Sequence, residues 1–250
     1  MAAKKKDTSS TLERLTPVLL VLTIILAFAV GMLWQKVSMM ESGRTTNPVG
    51  NGAVAPETLD GKLSEEQAAN VQGIQEGDFV RGNRDAEIVL IEYSDLECPF
   101  CASFHPTAVQ ALEEYGDQIA WVYRHFPLNF HPRAVPSANA AECVADLGGE
   151  DAFWAFIDYV FENQSPTVLG DAGLTDAAVV AGVSEAAFTE CYEAERFASE
   201  VDADYDSGLE AGVTGTPGNF IMNSNGEVWV VPGAVPFDTL KLTIEEALAS

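Results

Sequence analysis

The stretch Glu92-Tyr93-Ser94-Asp95-Leu96-Glu97-Cys98-Pro99-Phe100-Cys101 decides how this chain is read. An apolar run, Ile88-Val89-Leu90-Ile91, leads into it. Ala102 to Tyr115 follows, with Phe104, Val109 and Leu112 at near-helical spacing. That order predicts a buried strand, a short turn and a helix, with Cys98 at the helix N-terminus. Unpaired backbone N–H groups and the positive end of the helix dipole favour a thiolate there, so Cys98 is expected to have a lowered pKa. Pro99 suits the first helical turn, where its missing N–H would have been unbonded anyway. Cys101 lies one turn on, within reach of a mixed disulfide at Cys98. The unit is a dithiol/disulfide switch.

Downstream, Gln118 to Phe126 reads as a second strand, followed by the Pro-punctuated turn Pro127 to Pro132. From Arg133 to Gly212 the pattern is helical. Ala134–Leu147, Glu150–Glu162, Asp176–Ala181 and Ser184–Leu209 are separated by Gly, Pro, Asn and Ser clusters such as Gly170–Leu174. Asp171, Asp176 and Ser184 are the expected caps. Strand signals return at Phe220-Ile221-Met222 and Val228-Trp229-Val230-Val231. These flank Asn223-Ser224-Asn225-Gly226, and Asn-Gly is a hairpin turn. A last helix, Pro236 to Ala249, carries Phe237, Leu240, Ile244 and Leu248 on one stripe. The simplest assembly is α/β: two halves around one sheet, with a helical insertion at about 133–212. Gly215-Thr216-Pro217-Gly218 sits before the hairpin. Taken alone, a cis Thr216–Pro217 bond is not expected, since only ~5% of X–Pro bonds are cis in folded proteins.

Upstream, Leu15 to Trp34 is free of charge and dominated by Val, Leu, Ile, Ala and Phe. A helix of that length spans about 30 Å, the hydrocarbon thickness of a bilayer. Lys4, Lys5, Lys6 and Arg14 precede it, so the positive-inside rule keeps residues 1–14 cytoplasmic and exports everything beyond. A cleaved signal peptide competes, with Ala27-Phe28-Ala29 as its site. The apolar run continues past that site, so a retained, single-pass anchor over 15–36 in the cell membrane is expected. Residues 37–78 read as a linker, with a short helix after Ser64, and the folded domain as 79–250.

The chain holds 13 basic and 38 acidic residues, a net charge of -25. Past residue 36 only 8 basic residues remain against 36 acidic. Such a surface is solubilising and repels nucleic acid and anionic lipid.

The strand–Cys98-Pro99-Phe100-Cys101–helix unit, the helical block and Gly215-Thr216-Pro217 before a hairpin and final helix, in that order, resemble the thioredoxin superfamily. Within it the match is to the DsbA-like thiol–disulfide oxidoreductases, over about residues 79–250. The resemblance implies a thioredoxin-like fold with a helical insertion, and a cis Thr216–Pro217 peptide beside the cysteines. The Thr216 backbone would pair with an incoming extended peptide. It also places the family's acidic residue on Glu92, partly buried with a raised pKa and able to exchange a proton with Cys101; the alternative is a solvent-facing carboxylate at a strand end. Phe100 stands where the most oxidising members often carry His, which removes a cationic stabiliser of the thiolate. Gly218-Asn219 is more polar than the family's usual residues after the Pro.

In an exported domain, four cysteines in two pairs point to two disulfides: Cys98–Cys101 redox-active, and Cys143–Cys191 a structural staple closing ~50 residues, worth ~3–4 kcal/mol. Two separate buried thiols are the alternative. His105, His125 and His131 lack the compact ligand spacing of a zinc site, so neither metal nor other cofactor is expected. The aromatic residues Phe153, Trp154, Phe156, Tyr159 and Phe161 are expected as core of the insertion, with a roof over a substrate groove as the second reading. The implied activity is extracytoplasmic thiol–disulfide exchange, most simply the introduction of disulfides into exported, cysteine-containing polypeptides. The resemblance further implies a membrane redox partner. A reductase or isomerase, a peroxidase-like thiol enzyme, or a client-binding module without turnover are the alternatives.

Overall fold

The computed structural model describes residues 61–250. The expected anchor over 15–36 and the linker up to residue 60 lie outside the described residues. Among those described, no helix is long and apolar enough to cross a membrane.

Five strands form one mixed sheet: β1 (Phe79–Gly82), β2 (Ile88–Ser94), β3 (Ile119–His125), β4 (Gly218–Asn223) and β5 (Val228–Val231), in the order β1-β3-β2-β4-β5. β2 pairs parallel with β3 and antiparallel with β4. The β2–β3 connection passes through α2 (Pro99–Tyr115), as a parallel pair requires. β2 lies at the centre and β3 beside it, and both are almost wholly buried. A strand covered on both faces reads as a continuous apolar run rather than an alternation.

Alternation within β2 still sorts the faces. Ile88 and Leu90, with Trp121 and Tyr123 of β3, face the core that holds Cys101, Phe104 and Ala108 of α2, together with Leu240 and Ile244 of α8 (Phe237–Leu248). Ile91 and Tyr93 face the opposite core with Val122, Phe126 and Phe220. That second face is covered by α7 (Ala198–Glu210), which touches β2 and β3. The approach is close at Gly208: a Cβ there would stand 2.6 Å from the Phe126 ring and 2.9 Å from that of Tyr93. Glycine is what lets the helix lie flat on the aromatic layer.

Between the two halves lie α3 (Ala134–Gly148), α4 (Glu150–Glu162), α5 (Asp171–Val180) and α6 (Glu185–Glu193), which pack on one another. Their boundaries differ from expectation where tertiary contacts intervene. The helix expected over Asp176–Ala181 begins at Asp171, because Gly173, read as part of a break, allows its turn to seat on the backbone of Thr167 and Val168. Asp171 is thus the first helical residue and Asp176 lies inside the helix. Ser184 does hold the N-cap position of α6, although its side chain makes no capping bond. The single helix expected over Ser184–Leu209 is two. Glu195 takes φ 47° at the break, and Asn139 of α3 bonds both sides of it, donating to the Tyr192 carbonyl (3.2 Å) and accepting from Phe197 N–H (3.2 Å). The partner of the break is more than fifty residues away, so no local pattern marks it.

Residues 61–78, expected as the end of the linker, instead pack on the sheet. Gly61 and Leu63 bond the edge of β5 (Val230 N to Gly61 O, 2.9 Å; Leu63 N to Val228 O, 2.7 Å). The short helix α1 (Glu65–Ala68) follows Ser64, whose side chain and that of Gln67 cap it reciprocally. Val71 is buried in the second core. Arg124 of β3 secures the rest, donating to the carbonyls of Gln72 (2.9 Å) and Gly73 (2.7 Å) and to both carboxylate oxygens of Asp78 (3.0 and 2.7 Å).

Candidate active site

Cys98 occupies the N-cap of α2 and the helix starts at Pro99, as expected of a cysteine at the helix N-terminus followed by a proline in the first turn. The turn is held by Cys98 N to Asp95 O (3.0 Å) and by Gln164, whose amide donates to the Leu96 (2.8 Å) and Cys98 (3.2 Å) carbonyls. Both cysteines are free thiols and buried. Antiparallel pairing sets Gly218 opposite Tyr93, so the preceding cis Thr216–Pro217 peptide arrives at the C-terminal end of β2, beside Cys98. The Cys98 sulphur lies 3.5 Å from the Thr216 carbonyl oxygen.

The two thiols are driven apart in acidity. Cys98 is lowered to about 5, chiefly because the Cys101 thiol donates to it. The Thr216 hydroxyl and the N–H groups of Phe100 and Cys101 add to this, against the opposing effect of burial. Cys101 is raised well above the ordinary thiol range by burial, by its role as donor to Cys98 and by the Glu92 carboxylate. Charge therefore resides on Cys98 and the proton on Cys101.

Glu92 is fully buried beneath them, deeper than the partial burial expected of it. Its Oε2 accepts from Trp121 Nε1 at 3.0 Å, and Oε1 has no hydrogen-bond partner. Burial pushes its pKa up to about 7, with Ser94 and Trp121 partly offsetting it. Because the folded value exceeds the ordinary 4.5, the neutral acid favours folding. That contribution is intact below about pH 4.5 and is lost as pH rises to about 7, a change on the order of 3 kcal/mol. Urea titrations from pH 4.5 to 8 should show the unsubstituted chain losing that stability and Glu92→Gln largely spared. Equal losses would place the titration elsewhere, for instance on buried Asp204, itself raised to about 6.

Sequence reasoning overlooked Asp95. Its buried carboxylate accepts from Glu97 N–H (2.8 Å), Leu128 N–H (3.0 Å) and His131 Nδ1 (2.7 Å), tying the 127–132 turn to the cysteine turn. Its own N–H points to the Cys101 sulphur at 3.5 Å. A carboxylate between strand and CxxC was the available signal; Gln164, in the insertion, offered none. His105 lies between Trp121 and Phe161, its ring tilted to both, and is bonded through Nε2 to Asp158 (2.8 Å). Among the described residues no His, Cys, Asp and Glu group is arranged to hold a metal.

Cys143 and Cys191 form a disulfide joining α3 to α6, with Cα atoms 5.8 Å apart. Phe153, Trp154, Phe156 and Phe161 are buried in the core, with Tyr159 packed against it. The exposed apolar side chains near the cysteines are instead Phe100 (65% exposed), between them, and Phe130 (70%), whose ring stands edge-on to that of His131. A cleft of about 510 Å³ runs past Pro217 and Gly218 to Val213 and Leu63. Asn219, polar where apolar residues are usual, lies buried and donates to the Gly233 carbonyl (3.1 Å).

Known proteins resemble this chain to different extents. DsbA2 of Pseudomonas aeruginosa is 27% identical, with a TM-score of 0.59 over 70% of this chain and 96% of its own. Oxidised BdbD from Bacillus subtilis is 26% identical, with a TM-score of 0.62 over 72% of this chain and 97% of its own. A curated relative, the Na(+)/H(+) antiporter NhaA of Herminiimonas arsenicoxydans, is 28% identical over 214 residues, 86% of this chain and 31% of that protein. Another, Na(+)/H(+) antiporter NhaA 1 of Mycolicibacterium vanbaalenii, is 42% identical over 88 residues, 35% of this chain and 14% of that protein. The chain thus spans less than a third of these antiporters. A family model described as Thioredoxin matches residues 75–245. With the strand–CxxC–helix unit, the cis-proline loop and the sheet order in place, the chain belongs to the thioredoxin family and has the DsbA-like form of its fold.

Proposed function

We propose that this protein is an extracytoplasmic thiol–disulfide oxidoreductase that introduces disulfides into exported, cysteine-containing polypeptides. The observation that carries the reading is the division of acidity between Cys98 and Cys101, with the Cys98 sulphur 3.5 Å from the Thr216 carbonyl oxygen. In the oxidised form a substrate thiolate attacks Cys98 and the Cys98–Cys101 bond breaks, leaving its electron pair on Cys101. A second substrate thiolate then attacks the substrate sulphur of the mixed disulfide, and Cys98 departs as a stabilised thiolate. The substrate leaves oxidised and the enzyme reduced. An extended substrate pairs with the Thr216 backbone, and Phe100 and Phe130 offer it apolar contact.

A thiol at about 5 lies between that of thioredoxin, about 7, and that of DsbA, about 3.5. The more stable the thiolate, the more oxidising the disulfide, so the pair should act as an oxidant of intermediate strength. Re-oxidation falls to a membrane redox partner, and residues 15–36 would hold the domain near it. Equilibrating the full chain against glutathione measures the reduction potential. A value well above about -270 mV supports the oxidase, whereas one at or below it points to a reductase and sinks this reading.

A further inference from the structure

Beneath Cys101 three buried polar atoms lack a hydrogen bond of standard geometry: Glu92 Oε1, Ser94 Oγ and Tyr123 Oη. Strand geometry brings them together. Glu92 and Ser94 are two residues apart on β2 and share its α2-facing side, and Tyr123 lies directly across from Glu92 in the β2–β3 register. The Asp95 N–H that points to the Cys101 sulphur belongs to the peptide joining Ser94 to Asp95, so that sulphur rests over Ser94. Glu92, Ser94, Tyr123 and Cys101 are all at most 1% exposed. Bulk water does not reach Cys101, yet thiol–disulfide exchange requires its sulphur to gain and lose a proton.

We propose that the Ser94 hydroxyl relays that proton between Cys101 and Glu92. The inference rests on the thiol–disulfide exchange reading and adds to it the residue through which the buried acid acts. When the Cys98–Cys101 bond breaks, Ser94 gives its proton to the Cys101 thiolate and takes one from the Glu92 carboxyl. When Cys101 attacks a mixed disulfide the transfers reverse: the Cys101 proton passes to Ser94, and the Ser94 proton passes to the Glu92 carboxylate. No proton is created or lost, and no group outside this cluster is needed.

The electrostatics agree with the geometry. The Ser94 hydroxyl is close enough to ease ionisation of Glu92, Cys101 and Tyr123 alike, without committing to any one of them. Its backbone is fixed, the Ser94 carbonyl accepting from Phe126 N–H (2.7 Å), so rotation about its side-chain bonds is the motion left to it. The titratable groups that face this cluster are Glu92 and Asp95 from β2 and the turn after it, Cys98 and Cys101 from α2, and Tyr123 from β3. Burial raises the pKa of Tyr123 well above its ordinary value, with Glu92 adding to the rise, so Tyr123 stays a donor.

The test uses the full chain, Ser94→Ala and Ser94→Thr. A mixed disulfide between Cys98 and glutathione is formed, and its release by Cys101 is followed from pH 5 to 9. The expected result is a release in Ser94→Ala slower by at least about tenfold at pH 7, with Ser94→Thr restoring it, because a positioned proton donor and acceptor is worth that much or more. The pH profile of Cys98 alkylation, which reports that thiol alone, should stay where it was. Release from Ser94→Ala at the unsubstituted rate overturns the relay. So does a Ser94→Thr variant as slow as Ser94→Ala, since the defect would then be one of packing. If the unsubstituted chain shows no exchange at all, the functional reading falls and the relay falls with it.

Discussion

Cys98→Ala should abolish oxidation of a reduced dithiol peptide, lowering its rate by at least about 10³-fold, because the attacked sulphur and stabilised leaving group are one atom. Cys101→Ala should behave differently. The buried cysteine takes no part in holding a substrate, so that variant still forms a mixed disulfide at Cys98 with an activated thiol but cannot release it by internal attack. Mass spectrometry of the trapped adduct distinguishes the two. The helix N-terminal N–H groups and Thr216 remain in Cys101→Ala, but the thiol that donates to Cys98 is lost, so the Cys98 pKa should rise from about 5. Turnover persisting in Cys98→Ala would defeat the exchange mechanism. Client affinity without any exchange, in the unsubstituted chain and in Cys98→Ala alike, would mark a binding module.

The second large effect is on stability and lies away from the cysteines. The Arg124 and Asp78 side chains are 2% and 7% exposed, and Arg124 also donates to two carbonyls of the chain before β1 and to Tyr93 Oη (3.1 Å). Arg124→Leu strands a buried carboxylate and two carbonyls, at a cost of roughly 3–5 kcal/mol. Urea unfolding at pH 7 should show the loss as a lower midpoint at similar slope, with residues 61–78 becoming the first to be cut by protease. Adding Asp78→Leu removes the stranded charge and should recover part of the loss. A cost below about 1 kcal/mol would mean water already reaches the pair.

Arg124 also shows why some of the fold escapes a reading of the chain. Residues 61–78 have little apolar periodicity, only Val71 and Ile74 beyond the capped turn at Ser64, and so read as linker. What orders them is the β5 edge and one cation on β3, some fifty residues or more distant. The break between α6 and α7 has the same origin in Asn139, and the start of α5 depends on a glycine whose missing Cβ matters only against Thr167 and Val168. Polar groups that bond across long sequence separations leave no periodic trace, whereas apolar burial on one face of a strand or helix leaves a strong one.

By itself the sequence determined the strand–CxxC–helix unit, the helical block, and the hairpin and last helix, because each is written in local periodicity, turn residues and cysteine spacing. The Cys98–Cys101 pair stood out by its own spacing, and the resemblance to the DsbA-like oxidoreductases implied that Thr216, Pro217 and Glu92 lie beside it. The direction of the Cys98 shift was legible from its place at a helix N-terminus, but tertiary structure decided the surroundings that set the chemistry of the group. The depth of Glu92, the donor relation between the two thiols, the partnership of Asp95 with His131, and the convergence of Ser94 and Tyr123 beneath Cys101 all arise from the β2–β3 register and from α2 closing over it. A pKa depends on which dipoles and charges surround a group and how far water is kept away, and those distances exist only once the sheet is assembled.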